Sequence, residues 1–275
     1  MKTLNCNGTL IELSSPKVMG IVNVTPDSFY DGGKSFSEKE IINQASKMLD
    51  QGATFLDVGG YSSRPGAAEV SVKEEIERVL LAVNSILKHF PEAIISVDTF
   101  RNEVAKVAIE NGAAIINDIS GGDLDKDMHR TVGELKVPYI LMHMRGTPET
   151  MTTITDYKNV TTEVIEDLSK KIARAREAGI NDIVVDPGFG FAKNIEQNFQ
   201  LLSDLDLFQN LEVPILVGVS RKSFIYKTLG LTPKETLNGT TSINTISLLK
   251  GASILRVHDV KEAVECVKLF KNLKT

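Results

Sequence analysis

Long apolar runs are missing from this sequence: none approaches the roughly 20 residues that a membrane-spanning helix needs. Cysteine is scarce, with only Cys6 and Cys266 in 275 residues. The two lie near opposite ends, without metal-ligand spacing and too few for a disulfide framework. They read as small buried hydrophobes in a reducing, cytoplasmic setting. The N-terminus lacks the basic region and apolar core of a signal peptide. No low-complexity or linker-like stretch marks a domain boundary. Charge of one sign is also lacking. A net charge of −5 argues against a general nucleic-acid binder, whose footprint would be basic. It leaves a local basic pocket open. No Gly-x-Gly-x-x-Gly follows an early strand, which counts against a dinucleotide-binding open sheet. His143 and His258 lack the i, i+4 spacing of a helical zinc site, so a tight protein-bound zinc is not expected.

Short apolar runs are what the chain does have. They cover residues 18–22, 55–58, 94–97, 114–117, 139–142, 183–185, 215–217 and 254–257. Continuous runs of this length suit parallel strands buried on both faces. Helical patterns lie between them. The clearest covers residues 71–90, where Val72, Ile76, Val79, Leu80, Val83, Ile86, Leu87 and Phe90 share one face. Ser37 with Glu40, Ser71 with Glu74, and Thr232 with Glu235 have capping-box spacing. Pro233 sits at the favoured first helical position. Asn111-Gly112 and Ala178-Gly179 fit left-handed helix ends. Eight strand–helix units in about 250 residues predict an α/β fold, a (β/α)8 TIM barrel. The barrel is expected to form a single domain over residues 1–275, with a doubly wound sheet ranked second. Residues 3–13 alternate weakly around Asn7-Gly8 and predict a short N-terminal β-hairpin closing the barrel bottom.

In such a barrel, active residues come from the C-terminal ends of the strands. Here nearly every run ends in a polar or ionisable residue: Asn23, Asp57 with Arg64, Asp98, Asn117-Asp118, His143, Asp186, Ser220-Arg221-Lys222-Ser223, then Arg256 and His258. Each alone has a bland reading. A single Asp after a strand is usually a turn former, and Asp57, inside its run, suits a buried hydrogen-bonding role. The repetition on all eight runs points to a site. Its acids suit a planar heterocycle with adjacent N–H donors. Its cations, Arg64, Arg221, Lys222, Arg256 and His258, suit a polyanion such as a diphosphate.

These residues resemble a known family. Asn23-Val24-Thr25-Pro26-Asp27-Ser28-Phe29-Tyr30-Asp31-Gly32-Gly33 is similar to the first loop of dihydropteroate synthases. Asp57-Val58-Gly59-Gly60 with Ser63-Arg64-Pro65-Gly66 resembles their second loop. Ser96-Val97-Asp98-Thr99, Ile116-Asn117-Asp118, Asp186-Pro187-Gly188-Phe189-Gly190-Phe191, Ser220-Arg221-Lys222-Ser223 and Arg256-Val257-His258 follow in family order. Tyr61 and Ser63 depart from it, standing where Glu and Thr are common.

The resemblance implies a transferase of folate biosynthesis. It would join 6-hydroxymethyl-7,8-dihydropterin diphosphate to p-aminobenzoate, giving 7,8-dihydropteroate and diphosphate by a dissociative substitution. It implies pterin binding by Asp98, Asn117, Asp186, Lys222 and Arg256, and diphosphate binding by Asn23, Arg64, Arg256 and His258. It implies p-aminobenzoate binding by Phe29, Ser63, Pro65, Phe191 and Ser223. Asp31, Arg64, Lys222, Arg256 and His258 would be catalytic. Magnesium would be the cofactor, with Asn23 its protein ligand. Sulfonamides would compete with p-aminobenzoate, and the protein would be a homodimer without nucleic-acid or membrane partners. A pterin-binding methyltransferase domain and a non-catalytic pterin-binding protein are the alternatives. Neither needs the aminobenzoate loops or the leaving-group cations together.

Overall fold

A computed structural model describes residues 2–24, 37–61 and 70–273. The chain opens with a hairpin of β1 (Thr3–Cys6) and β2 (Thr9–Glu12), paired antiparallel. Its two-residue turn needs positive φ twice, and Asn7 and Gly8 supply it at 51° and 86°. Eight parallel strands follow: β3 (Lys17–Asn23), β4 (Phe55–Gly59), β5 (Ile94–Asp98), β6 (Ile115–Asp118), β7 (Tyr139–Met142), β8 (Ile183–Asp186), β9 (Leu216–Val217) and β10 (Ile254–Val257). Each overlaps one apolar run. Their order is β8-β7-β6-β5-β4-β3-β10-β9. A parallel bridge from Val185 to Ile215 joins β8 to β9 and closes the ring. The expected TIM barrel is the observed architecture.

The helices are α1 (Glu38–Asp50), α2 (Val72–His89), α3 (Asn102–Glu110), α4 (Met128–Leu135), α5 (Val160–Glu177), α6 (Ile195–Ser203), α7 (Ser223–Leu229), α8 (Leu237–Leu249) and α9 (Val260–Lys271). None of the described helices is long and apolar enough to cross a membrane. Ser37 and Glu40 form the full capping box of α1. At α2 only half of the expected box is present. Ser71 accepts from the Glu74 N–H, but the Glu74 carboxylate turns to Arg78 at 2.6 Å, because an i+4 guanidinium offers it a charge-assisted bond. Thr232, Pro233 and Glu235 cap a single 3-10 turn that leads into α8, rather than α8 itself.

Alternate residues of each strand face the barrel axis. Those at the lower end are Met19, Phe55, Ile115, Ile140, Val184, Leu216 and Ile254, and they pack against Leu4, Cys6 and Leu13 of the hairpin segment. The hairpin therefore plugs the bottom, as expected. Each such side chain gains roughly 1.5–3 kcal/mol from leaving water. The outward residues of the strands form a second core with the inner faces of the helices. Cys6 and Cys266 are buried and free.

Helix α4 approaches the end of α5 so closely that Gly133 has no room for a side chain. A Cβ there would stand 1.9 Å from the Ala178 carbonyl oxygen. The obstacle is backbone, so it cannot rotate away. Gly133→Ala is expected to destabilise the fold by about 1–3 kcal/mol, the usual cost of overpacking. Urea unfolding checks this, and an unchanged midpoint would show that the two helices separate freely.

Candidate active site

Above the apolar plug, the same inward positions turn polar. Moving two residues along five of the strands replaces Phe55 by Asp57, Ile115 by Asn117, Val184 by Asp186, Leu216 by Gly218 and Ile254 by Arg256, while β3 and β7 stay apolar at Ile21 and Met142. The period of two that buries the lower residues also aims these at the axis. The site is thus a polar storey on an apolar one, at the C-terminal ends of the strands.

Arg256 organises its centre. From β10 it crosses β3 to reach two further strands. Its Nε donates to Asp57 Oδ2 at 2.6 Å, and its Nη2 donates to Asp98 Oδ2 at 2.7 Å. The same Asp57 oxygen accepts from Asn117 Nδ2 at 3.0 Å. Asp57 is fully buried, so its charge depends on these partners. Burial works against the Arg256 charge, but Asp57 and Asp98 outweigh it and raise its pKa. Burial pushes the Asp98 carboxyl up to about 7, with Arg256 opposing and Asp57 reinforcing the rise. Asp57 thus takes the buried structural role that its place inside the strand implied.

On the opposite wall stand Asp186 and Lys222. Asp186 Oδ1 accepts from the Gly188 N–H at 2.7 Å. Its Oδ2 lies toward Gly218, where a Cβ would come within 3.7 Å of it and within 3.8 Å of the Arg256 Cβ. A side chain at Gly218 would therefore stand between the acid and the arginine. Burial raises the Asp186 pKa, while Lys222, the Gly188 N–H, Arg256 and Lys193 lower it. Lys222 donates to the Phe189 carbonyl, and its Nζ lies 4.4 Å from the Phe191 ring centre. Burial pulls the Lys222 pKa down to about 8 against the pull of Asp186.

The rim carries the remaining candidates. Asn23 ends β3 and approaches Asp98 across Gly59, where a Cβ would lie 3.6 Å from both Asn23 Oδ1 and the Asp98 Cβ. Ser220 Oγ accepts from the His258 backbone N–H at 3.2 Å and lies 3.0 Å from His258 Nδ1. That arrangement fixes the ring beside the mouth. Ser223 begins α7. Arg221 departs from the expected cationic cluster. Its guanidinium grips Asp259 at 2.6 Å and 3.2 Å, a bidentate pairing that neutralises it. Asp118 also turns away, accepting from Tyr139, Ser120 and Gly122 as a turn-forming acid. Phe29, Asp31, Ser63, Arg64 and Pro65 lie outside the described residues. Among the described residues no cluster of three or more His, Cys, Asp or Glu side chains could hold a metal.

Two features escaped the sequence reading. Gly218 carried a signal, since a glycine continuing an apolar strand marks a close approach. Lys193 gave none: it follows a glycine- and phenylalanine-rich loop, yet its side chain is buried and bonded inside that loop. Tyr61 also has a role here. Its ring stacks edge-on to Phe100 and lies 5.3 Å from the Arg101 guanidinium, which itself pairs with buried Glu75 at 2.8 Å. An aromatic face there meets a cation.

Comparison with known proteins decides the family. The model of the pterin binding enzyme family matches residues 19–258. The dihydropteroate synthase of Escherichia coli K12 is 46% identical over 270 residues, 98% of this chain and 95% of that one. The chain belongs to the dihydropteroate synthase family. The dihydropteroate synthase of Yersinia pestis, solved with a sulfonamide drug, superposes with a TM-score of 0.94 at 39% identity, covering 99% of each chain. That of Xanthomonas albilineans, solved with 7,8-dihydropteroate, gives 0.88 at 34% identity, again over 99% of each chain. Family membership therefore spans the hairpin, the barrel and every strand end that carries a dihydropteroate synthase motif.

Proposed function

We propose that the polar storey of the barrel binds a pterin diphosphate and transfers its pterinylmethyl group to p-aminobenzoate. The activity is dihydropteroate synthesis, a transferase reaction of folate biosynthesis. The observation that carries the assignment of residues is that Arg256 is held by Asp57 and Asp98, with Asn117 on the same Asp57 oxygen, and meets Asp186 across Gly218, with Lys222 close enough to feel Asp186 and Asp98. The pterin edge presents a ring N–H beside an exocyclic amine. Asp186 accepts from that edge, with Asp98 and Asn117 completing it and Lys222 donating to the ring acceptors. Arg256, already held flat by two carboxylates, stacks on the ring and extends its charge toward the diphosphate.

The carbon–oxygen bond to the diphosphate breaks with its electron pair leaving on oxygen. The exocyclic methylene cation that results is conjugated with the pterin ring. The amine nitrogen of p-aminobenzoate then bonds to that carbon and loses a proton. Leaving-group neutralisation matters more than a strong base in such a step. Arg256, His258 and Arg64 serve it, and Asp31 steadies the cation. Asn23 would hold magnesium. Its amide oxygen is a hard donor beside the Asp98 carboxylate, and magnesium commonly takes one or two protein oxygens with waters and phosphate oxygens. When bound, the ion would offset diphosphate charge.

Phe29, Ser63, Pro65, Phe191 and Ser223 form the aminobenzoate site, which sulfonamides share. The buried free cysteines support a cytoplasmic setting, and the same reading includes one domain over the chain and a homodimer. Diphosphate release that requires both pterin diphosphate and p-aminobenzoate is the deciding assay. Release that ignores p-aminobenzoate would reject the synthase reading.

The two shifted groups set a pH profile. Asp98 accepts hydrogen bonds best when ionised, so activity rises as pH passes about 7. Lys222 donates best when protonated, so activity falls as pH passes about 8. The kcat/KM for pterin diphosphate is expected to trace a narrow bell. Lys222→Met should lower the maximum and remove the alkaline limb. An alkaline limb unchanged in that variant would assign it elsewhere.

A further inference from the structure

The loop of residues 187–192 joins both substrate subsites, and Lys193 sits inside it. Its backbone takes positive φ at Gly188 (73°), Gly190 (78°) and Ala192 (49°), so the loop is a tight coil rather than a simple turn. Three groups surround the buried Lys193 amine. Its Nζ donates to the carbonyl oxygens of Gly188 at 2.9 Å and Phe191 at 3.0 Å, and lies 3.0 Å from His143 Nδ1. The Gly188 N–H is the one that holds Asp186 Oδ1. The Phe189 carbonyl holds Lys222, and the Phe191 ring faces Lys222. One amine thus pins the peptide units on either side of the segment that orients Asp186 and Lys222.

We propose that Lys193 is a positioning residue for the reaction, fixing the 187–192 loop so that Asp186 and Lys222 face the pterin and Phe191 faces the aminobenzoate. This rests on the site assignment above. The packing limits what else could hold the loop. A Cβ at Gly188 would meet the His143 carbonyl oxygen at 2.0 Å, and one at Gly190 would meet Lys222 Cδ at 2.9 Å. The loop therefore lies directly against His143, just past β7, and against Lys222, and small displacements at its base move Asp186. Burying a lysine amine is unfavourable unless its protons find acceptors. The two carbonyls accept from it, and the His143 ring nitrogen lies within hydrogen-bond distance.

Lys193→Met removes the donors and keeps much of the volume, while Lys193→Gln keeps a shorter N–H donor. Binding of 6-hydroxymethylpterin by calorimetry, kcat/KM for pterin diphosphate, and thermal melting are measured for both and for wild type. Lys193→Met is expected to weaken pterin binding at least tenfold and to lower kcat/KM by the same factor, with partial recovery in Lys193→Gln. Because Lys193 acts through Asp186 as well as Lys222, adding Lys193→Met to Asp186→Asn should cost clearly less pterin affinity than the sum of the two separate losses. A merely structural role would lower the melting temperature and add its loss in full to that of Asp186→Asn. Folded variants whose pterin affinity stays within twofold of wild type would overturn the proposal. So would failure of both variants to fold, which would assign Lys193 to stability alone. If instead Asp186→Asn alone leaves pterin binding intact, it is the underlying site assignment that fails.

Discussion

Asp186→Asn is expected to lower pterin affinity by about 2–4 kcal/mol, from the loss of charge-assisted bonds and the group left unsatisfied. The geometry explains the size. Oδ1 already takes the Gly188 N–H, so the loop is satisfied without ligand. The other oxygen lies toward Gly218. An asparagine must place an oxygen and an NH2 group in those two positions. If the oxygen faces Gly188, the NH2 group points at the donor edge of the pterin. If it faces the pterin, the NH2 group points at the Gly188 N–H and the loop shifts. Either orientation sets two donors against each other in a buried site. Calorimetry with 6-hydroxymethylpterin reads the loss directly. A folded variant with wild-type affinity would take Asp186 out of the pocket.

The barrel was legible because its strands are buried on both faces. An apolar run such as residues 183–185 has no amphipathic period to misread, and its flanking acid marks the functional end. The capping pattern was less reliable because Glu74 has a second use. Spacing shows that its carboxylate can reach the Ser71 N–H and equally that Arg78 lies one turn further on, but not which of the two it takes; in the structure it takes Arg78. Arg221 shows the same limit in the site. As sequence it belongs to a cluster of cations, yet a carboxylate 38 residues away neutralises it. Asp57 was ambiguous for the opposite reason. A strand position with the right parity predicts an inward side chain, and only the partner on β10 shows that the acid holds a cation rather than a ligand. Lys193 was hidden altogether, because a lysine after a loop ordinarily extends into water. Its burial follows from two loop carbonyls and the His143 ring just past β7, which the fold brings together, and no local pattern encodes them.

Arg256→Lys should cost more in catalysis than its preserved charge implies. The arginine uses different nitrogens for two carboxylates on two strands, Nε for Asp57 and Nη2 for Asp98. A lysine has one nitrogen and a shorter reach, so it serves one acid and leaves the other. Fully buried Asp57 then loses its cation and keeps only the Asn117 N–H donor. The planar surface for the pterin ring is lost as well, since an ammonium does not stack as a guanidinium does. Losing one preorganised donor to a developing anion typically removes about 2.7–4 kcal/mol of transition-state stabilisation. The expected result is a folded Arg256→Lys enzyme whose kcat falls by about 10²–10³, the factor that accompanies such a loss. Adding Asp57→Asn should recover stability, because it removes the stranded charge, but not turnover. Urea unfolding and steady-state rates on the two variants separate the effects. Near wild-type turnover in Arg256→Lys would mean that a point charge suffices there and that the guanidinium plane has no part in the reaction.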